Sequence, residues 1–368
     1  AAARNGAGAA STSAGSRSGA SAQAGPPTAA VLRSLCSREA AAFAASGQIT
    51  GVAGCAMHAY SIGDDGCLRV GPLPFQTGTE AAEGDTSSTV LRRNFRVSPM
   101  PLCALAVLNT DLLAIGGHDN AVTLYSSSCG SALARCQVHA DTVTCFGVSR
   151  CRSVLVSGSR DQSVRTWNVT PTSLKSDMTL DDVQQPITCV SASDNLILAG
   201  ADDGQLMAWD RRSGKPVMDR ELGGVALGCA LHRGEHLAMA LDDTGELRLW
   251  DLRRGCESLR LCVLTRAGGG SLSRARCFLT DFEGWAILGG ADASGAPAVT
   301  LWDIPEQREL RTWQLNGPPR GADVQFLVRP PATGVQDEED SGPASFFCAS
   351  ATGAIHAFMP RDAASAVR

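Results

Sequence analysis

The chain has 368 residues, of which 44% are hydrophobic, only 5% are aromatic and 39 are glycine. Its 32 basic and 37 acidic residues leave a net charge of −5, so bulk electrostatics gives no drive toward nucleic acid. No apolar run reaches the roughly 18 residues that a membrane-spanning helix needs. The low aromatic and high glycine content argues for many short strands joined by tight turns rather than long helices.

Residues 1–29 are almost all Ala, Gly and Ser, and such a stretch buries too little surface to offset the entropy of ordering. It is expected to be a disordered linker, following on from a longer polypeptide, with no apolar core of the kind a signal peptide needs. VLRSLC (31–36) is the one apolar run before the repeats begin, and AAAFAAS (40–46) has the composition of a helical turn. From residue 59 onward one pattern recurs: an apolar strand, small residues, an Asp-containing turn, then an alternating strand. It is seen in AYSIGDDGCLRVG (59–71), LLAIGGHDNAVTLY (112–125), VLVSGSRDQSVRTW (154–167), LILAGADDGQLMAW (196–209), LAMALDDTGELRLW (237–250), AILGGADASGAPAVTLW (286–302) and FFCASATGAIHAF (346–358). Trp167, Trp209 and Trp250 close three of these at intervals of 42 and 41 residues. The longer intervals carry Gly-, Pro-, Ser- and acid-rich insertions at 75–88, 265–274, 290–297 and 329–343, the composition of exposed loops.

An apolar segment precedes each pair, as in TVTCFGV (142–148) and PITCVSA (186–192), and a more polar one precedes that, as in SALARCQV (131–138). Each unit therefore holds four strands in about 42 residues, the length of one propeller blade. The fold expected is all-β, a seven-bladed propeller over 30–360 with a short tail at 361–368. A blade cannot cover its own faces, so the ring must close, and VLRSLC is expected to close it as the outer strand beside GAIHAF (353–358).

The best unit contains His139, Ser157, Asp161 and Trp167, and here the sequence resembles the WD-repeat family. The resemblance implies one hydrogen-bonded network of these four side chains. Other units retain it in part, through Asp119 and Tyr125, Asp203 and Trp209, Trp250 and Trp302; Ile115 and Ala199 stand where Ser is expected, and the hairpin before Trp250 reads as one residue longer. At a finer level, SREAAAFAASGQITGVA (37–53), the stretch 139–169 and RARCFLTDFEGWAILGG (274–290) are similar to the C-terminal propeller of BEACH-domain proteins. That resemblance implies a scaffold in membrane traffic or receptor-to-sphingomyelinase signalling, cytoplasmic, and peripheral to membranes through upstream domains. A general cytosolic WD-repeat adaptor, such as a subunit of a ubiquitin ligase or trafficking complex, is the other reading.

Chemistry-bearing motifs are sparse. His139, Asp161 and Ser157 could suggest a catalytic triad, but the repeat already accounts for them and no GxSxG elbow is present. HRGEH (232–236) spells a zinc-protease pattern, yet it contains Gly234 and lies between two strands, where the helix that pattern needs is missing. The 14 cysteines form no CxxC pair, and several sit in apolar runs as small hydrophobes, which suits a reducing compartment. No enzyme activity, metal or cofactor is expected. The expected partners are proteins or peptides, bound by a monomeric propeller. In the WD-repeat family the residue before the hairpin Asp faces the narrower surface; the matching positions, Asp64, His118, Arg160, Asp202 and Asp242, form the candidate binding face.

Overall fold

The computed structural model describes residues 32–34, 49–54, 58–72, 93–232, 234–254, 258–263, 276–279, 285–291, 297–303, 308–314, 324–328, 346–350 and 355–360. Among them every sheet is antiparallel and four-stranded, seven such sheets are formed, and one 3-10 turn, Leu252–Arg254, is the sole helical element. The expected linker at 1–29, the helical turn at 40–46 and the tail at 361–368 lie outside the described residues.

Each sheet begins at an innermost strand and runs outward in chain order. The innermost strands of the first five sheets are Ile49–Gly54, Leu102–Val107, Val143–Val148, Ile187–Ala192 and Ala226–Leu231. Arg276–Leu279 and Val324–Val328 begin the sixth and seventh. Each innermost strand packs beside the next, and the one in the seventh sheet packs beside the one in the first. The outer strand of the seventh sheet comes from the other end of the chain: Leu32–Ser34 pairs with Ile355–Pro360, with Ser34 opposite Phe358. This is the pairing expected of VLRSLC.

The hydrophobic core lies between sheets rather than within one. Val154, Val156 and Val164 of the third sheet pack on Ile197, Ala199 and Trp209 of the fourth. Leu155 and Trp167 of the third pack on Ala104, Val122 and Leu124 of the second. Burial on both flanks explains why the second strands, Leu112–Gly117 and Val154–Ser159, are buried at every position. The outer strands, Ser131–Cys136 and Pro216–Glu221, are mostly exposed and carry the polar residues that discourage edge pairing. The innermost strands are less buried than the sequence pattern suggested, as in Val143–Val148, because no further strand lies beyond them.

A repeated bulge joins the sheets. The innermost strand shifts register after its first residue in the first five sheets, between Val143 and Cys145 for example. The extra residue is turned toward the next sheet. Where it is threonine its hydroxyl donates across the gap: Thr50 to the Leu102 carbonyl, Thr144 to that of Ile187 at 2.6 Å, and Thr188 to that of Ala226.

Two outcomes follow from this arrangement. Thr188→Val, which keeps the shape and removes the hydroxyl, should lower stability by about 1 kcal/mol, read as the shift in the urea midpoint. Deleting residues 31–36 should lower the melting temperature and produce concentration-dependent association on size-exclusion chromatography, because it uncovers the edge of Ile355–Pro360.

Candidate functional site

The third sheet assembles its four-residue network from four places. His139 comes from the loop before Val143–Val148, Ser157 from the second strand, Asp161 from the hairpin, and Trp167 from the third strand, Val164–Thr170. His139 Nδ1 lies 2.9 Å from Asp161 Oδ2, and Nε2 lies 2.7 Å from Ser157 Oγ. The Trp167 indole N–H donates to the same Ser157 oxygen at 2.8 Å. A neutral imidazole with its proton on Nδ1 satisfies the whole chain: Nδ1–H donates to the carboxylate, Nε2 accepts from the serine, and the serine accepts from the indole. Asp161 also accepts from the Ala140 N–H at 2.9 Å and from the Ser163 hydroxyl at 2.6 Å. Burial alone would raise the Asp161 pKa, but the bonds from His139, Ser163 and the Ala140 backbone outweigh it and hold the carboxyl far below the usual range. Ser157 is 0% exposed, enclosed between imidazole and indole, so its hydroxyl cannot reach a substrate.

The other sheets keep parts of this arrangement and rewire the rest. In the fourth sheet Trp209 is fully buried, Ala199 stands in the serine position, and the indole N–H donates at 2.7 Å to Asp182 in the incoming loop. Asp182 thus works from the same incoming loop as His139 but one residue earlier, with Val183 at the His139 spacing from the innermost strand. Asp203 is exposed, and its carboxylate accepts the Gln205 N–H at 2.9 Å, closing its own hairpin. In the second sheet Asp119 pairs with Arg135 at 3.0 Å, and Tyr125 is buried beside Phe95, which raises the phenol pKa. In the fifth sheet Trp250 is buried and Ala240 takes the serine position. Trp302 pairs with Ala286 through its backbone, and its side chain lies outside the described residues.

The hairpin before Trp250 is not longer than the others. Leu241 pairs with Leu247 as Gly158 pairs with Val164 and Gly200 with Leu206, so the same turn length separates the strands in all three sheets. The left-handed residue of the turn marks the register: Gln162 at φ 70°, Gly204 at 89° and Gly245 at 85°. Thr244 therefore stands where Asp161 does, and Asp243 where Arg160 does. This corrects the candidate binding face. Asp64, His118, Arg160 and Asp202 are exposed, but Asp242 is 0% exposed at the end of its strand.

With Asp243 in its place, a common backbone clamp appears. The N–H groups of His118, Arg160, Asp202 and Asp243 donate to the carbonyls of Pro101, Thr142, Pro186 and Val225 at 2.9–3.0 Å. Each clamp ties a hairpin to the loop that enters its sheet, so all these residues share one end of the molecule. That end is mixed in charge at the second and third sheets. At the fourth and fifth it is acidic, with Asp181, Asp182, Asp202, Asp203 and Glu221 exposed, while Arg248 is paired to Glu246 at 3.0 Å. HRGEH falls in the turn between Ala226–Leu231 and Leu237–Asp242; the His232 and His236 rings meet edge to face at 4.5 Å. Among the described residues no group of three or more metal-ligating side chains occurs.

Asp161→Ala should cost about 1–3 kcal/mol in urea unfolding, because it takes the carboxylate acceptor from the buried His139 ring N–H. Asp203→Ala should stay within about 0.5 kcal/mol, since its carboxylate is solvated. The Asp161 pKa is lower in the folded protein than in the unfolded chain. Its stabilising contribution is therefore complete above the unfolded value, about 4, and lost as pH falls through the folded value. The melting temperature of Asp161→Asn should accordingly fall less than that of the unmodified protein on acidification below about pH 4. Asp182→Ala should destabilise by about 1–3 kcal/mol and Asp181→Ala by much less, which separates the tryptophan acceptor from its neighbour.

Residues 130–168 and 175–210 match the family described as WD domain, G-beta repeat. Each matched stretch takes in the outer strand of one sheet and the three inner strands of the next. The chain is similar to angio-associated migratory cell protein of Homo sapiens, at 25% identity over 194 residues, covering 50% of this chain and 41% of that protein. The Pongo abelii counterpart gives the same identity and coverage. Small ribosomal subunit protein RACK1y of Oryza sativa subsp. japonica is 27% identical over 117 residues, covering 31% of this chain and 34% of that protein. The chain thus spans well under half the length of the curated relatives it matches. The stretches that build its third and fourth sheets are WD repeats.

Proposed function

We propose that the chain is a non-catalytic scaffold, a seven-bladed ring whose hairpin end docks protein or peptide partners. The observation that carries this reading is the set of side chains at Asp64, His118, Arg160 and Asp202. They occupy the same position in successive hairpins, and those at His118, Arg160 and Asp202 extend from a clamp that uses only backbone groups. The polar side chains at these positions are therefore free to vary without disturbing the sheet, which is what a recognition surface on a repeat scaffold requires. The buried network of His139, Ser157, Asp161 and Trp167 serves this surface by fixing the hairpin. The ring works as a monomer in the cytoplasm, with no role in nucleic-acid binding.

At a finer level we place the chain as the C-terminal propeller of a BEACH-type protein, acting in membrane traffic or receptor-to-sphingomyelinase signalling. The resemblance of 37–53, 139–169 and 274–290 supports this placement, and membrane association would come through domains upstream. The second reading is a general WD-repeat adaptor in a ubiquitin ligase or trafficking complex, favoured by the similarity to angio-associated migratory cell protein and RACK1y. The upstream coding sequence separates them: a BEACH domain there supports the first, and its absence removes it.

The docking surface has its own test. His118→Ala and Arg160→Ala together should reduce capture of native partners in a pull-down at least about tenfold, with the melting temperature unchanged. Undiminished capture by a folded double variant would take the second and third sheets out of the proposed surface.

A further inference from the structure

The loops that join first to second strands, and third to outer strands, open at the end opposite the hairpins, because the strands are antiparallel. In the fourth sheet the second of these loops is a tight turn, residues 211–215, between Gln205–Asp210 and Pro216–Glu221. Ser213 stands at its centre and is exposed. The Asp210 carboxylate closes the turn. Its Oδ1 accepts from the Arg212 N–H at 3.1 Å, the Ser213 N–H at 2.8 Å and the Ser213 hydroxyl at 2.8 Å. The bonds from the Ser213 backbone and hydroxyl hold this carboxyl below its ordinary pKa, so it is charged at neutral pH. From Gln205 to Met218 the chain carries three cations, Arg211, Arg212 and Lys215, and one carboxylate, Asp210. Arg212 and Lys215 are exposed on either side of Ser213 in the chain.

The turn is tied into a chain of bonds that crosses three sheets. The Arg211 N–H donates to the Asn195 carbonyl at 2.7 Å, and Nε donates to the Asp194 carbonyl at 2.5 Å. Asp194 and Asn195 belong to the loop between the first and second strands of the same sheet. Asp194 Oδ1 accepts the Cys151 N–H of the third sheet at 3.1 Å. Asn195 donates to Glu235 of the fifth sheet through its backbone at 2.9 Å and its side-chain amide at 2.8 Å. Arg211 thus holds the loop that links the third sheet to the fifth, and it does so through neutral carbonyl acceptors.

We propose that Ser213 is a phosphorylation site for a protein kinase that selects basic residues around its acceptor, and that the phosphate acts as a switch on this tie between sheets. The Ser213 oxygen attacks the γ-phosphorus of ATP, the bond from that phosphorus to the β–γ bridging oxygen breaks, ADP leaves, and the hydroxyl proton passes to the catalytic carboxylate of the kinase. The product no longer donates to Asp210 and sets up to about two negative charges beside it, which opens the turn. A phosphate is also a stronger acceptor for Arg211 than the Asp194 carbonyl, because both partners are then charged. Accessibility favours Ser213 over Ser153, an exposed serine at the same end that follows Arg150 and Arg152. Ser153 leads directly into the buried strand Val154–Ser159, and its carbonyl accepts the Val169 N–H at 2.8 Å. A kinase cleft takes an extended segment, and at Ser153 that segment belongs to the core. Ser213 is followed by Pro216–Glu221, a mostly exposed outer strand that can be drawn away at lower cost.

The test incubates the full chain with ATP and the catalytic fragment of protein kinase C, which reads basic residues on both sides of its acceptor. Tandem mass spectrometry should place the phosphate on Ser213. Ser213→Ala should lower incorporation about tenfold, as should Arg212→Gln with Lys215→Gln, while Ser153→Ala should change it by less than about twofold. The site assignment needs no variant and decides alone should a variant misfold. Hydrogen exchange reads the switch. In the phosphorylated protein the amides of Asn195, Arg211, Arg212 and Ser213 should exchange about tenfold faster, and those of Val154–Ser159 at the same rate. No phosphate on Ser213 overturns the proposal. Equal labelling of Ser153 and Ser213 overturns it too, since that is the mark of a kinase acting on unfolded chains. Phosphate on Ser213 with unchanged exchange at Asn195 and 211–213 overturns the switch.

Discussion

A sheet of four strands with apolar side chains on both faces cannot stay in water by itself. Every other feature of this chain depends on that constraint. Val154 and Leu155 are neighbours in sequence and point to opposite faces, one onto the fourth sheet and one onto the second. Each face is covered only by the adjacent sheet, so the sheets must follow one another side by side until the last meets the first. The strand Leu32–Ser34 completes the outer edge of the seventh sheet and so ties the beginning of the repeat region to its end. Because stability is shared between neighbours, a single weak unit is tolerated while its flanks are covered.

Within that frame the tryptophans have a second task. A buried indole must place its N–H, and the acceptor it finds decides how the incoming loop is tied to the sheet. In the third sheet the acceptor is Ser157, held in turn by His139 and Asp161. In the fourth it is Asp182 directly. The two solutions differ in length and chemistry, yet both draw the loop down against the third strand. The hairpin clamps from His118, Arg160, Asp202 and Asp243 then hold the loop from the other side. The result is a stiff end of the molecule on which exposed side chains are displayed, and stiffness there limits the entropy lost when a partner docks.

Much of this was legible in the chain itself. The repeat, the four strands per unit and the closing strand near residue 32 follow from local pattern, since alternation and turn residues are properties of short segments, while the network in the third sheet was implied by the resemblance to the WD-repeat family. The Asp182 acceptor was less visible. Its signal was Trp209 kept while the serine position became Ala199, with an acidic pair, Asp181 and Asp182, in the loop before the strand. The threonine staples were also within reach, because Thr144-Cys145 and Thr188-Cys189 recur at one position. What they touch lies on another sheet, and no local pattern names a partner across a gap.

The sequence by itself determined the all-β class and the strand count of each unit, and its resemblance to the WD-repeat family pointed to the buried hydrogen-bond chain of the third sheet. These depend on side-chain periodicity and on chemistry confined to a few neighbours. Only the tertiary structure decided the register of the hairpin at 242–246. Three acceptors in a row, Asp242, Asp243 and Thr244, can each begin a turn, and the pairing of Leu241 with Leu247 selects among them. That one-residue choice buries Asp242 at the end of its strand and turns the Asp243 carboxylate onto the incoming loop, where it accepts the Val225 N–H at 2.9 Å. It thereby places an enclosed carboxylate beside Gly223, a residue that comes from the loop before the fifth sheet.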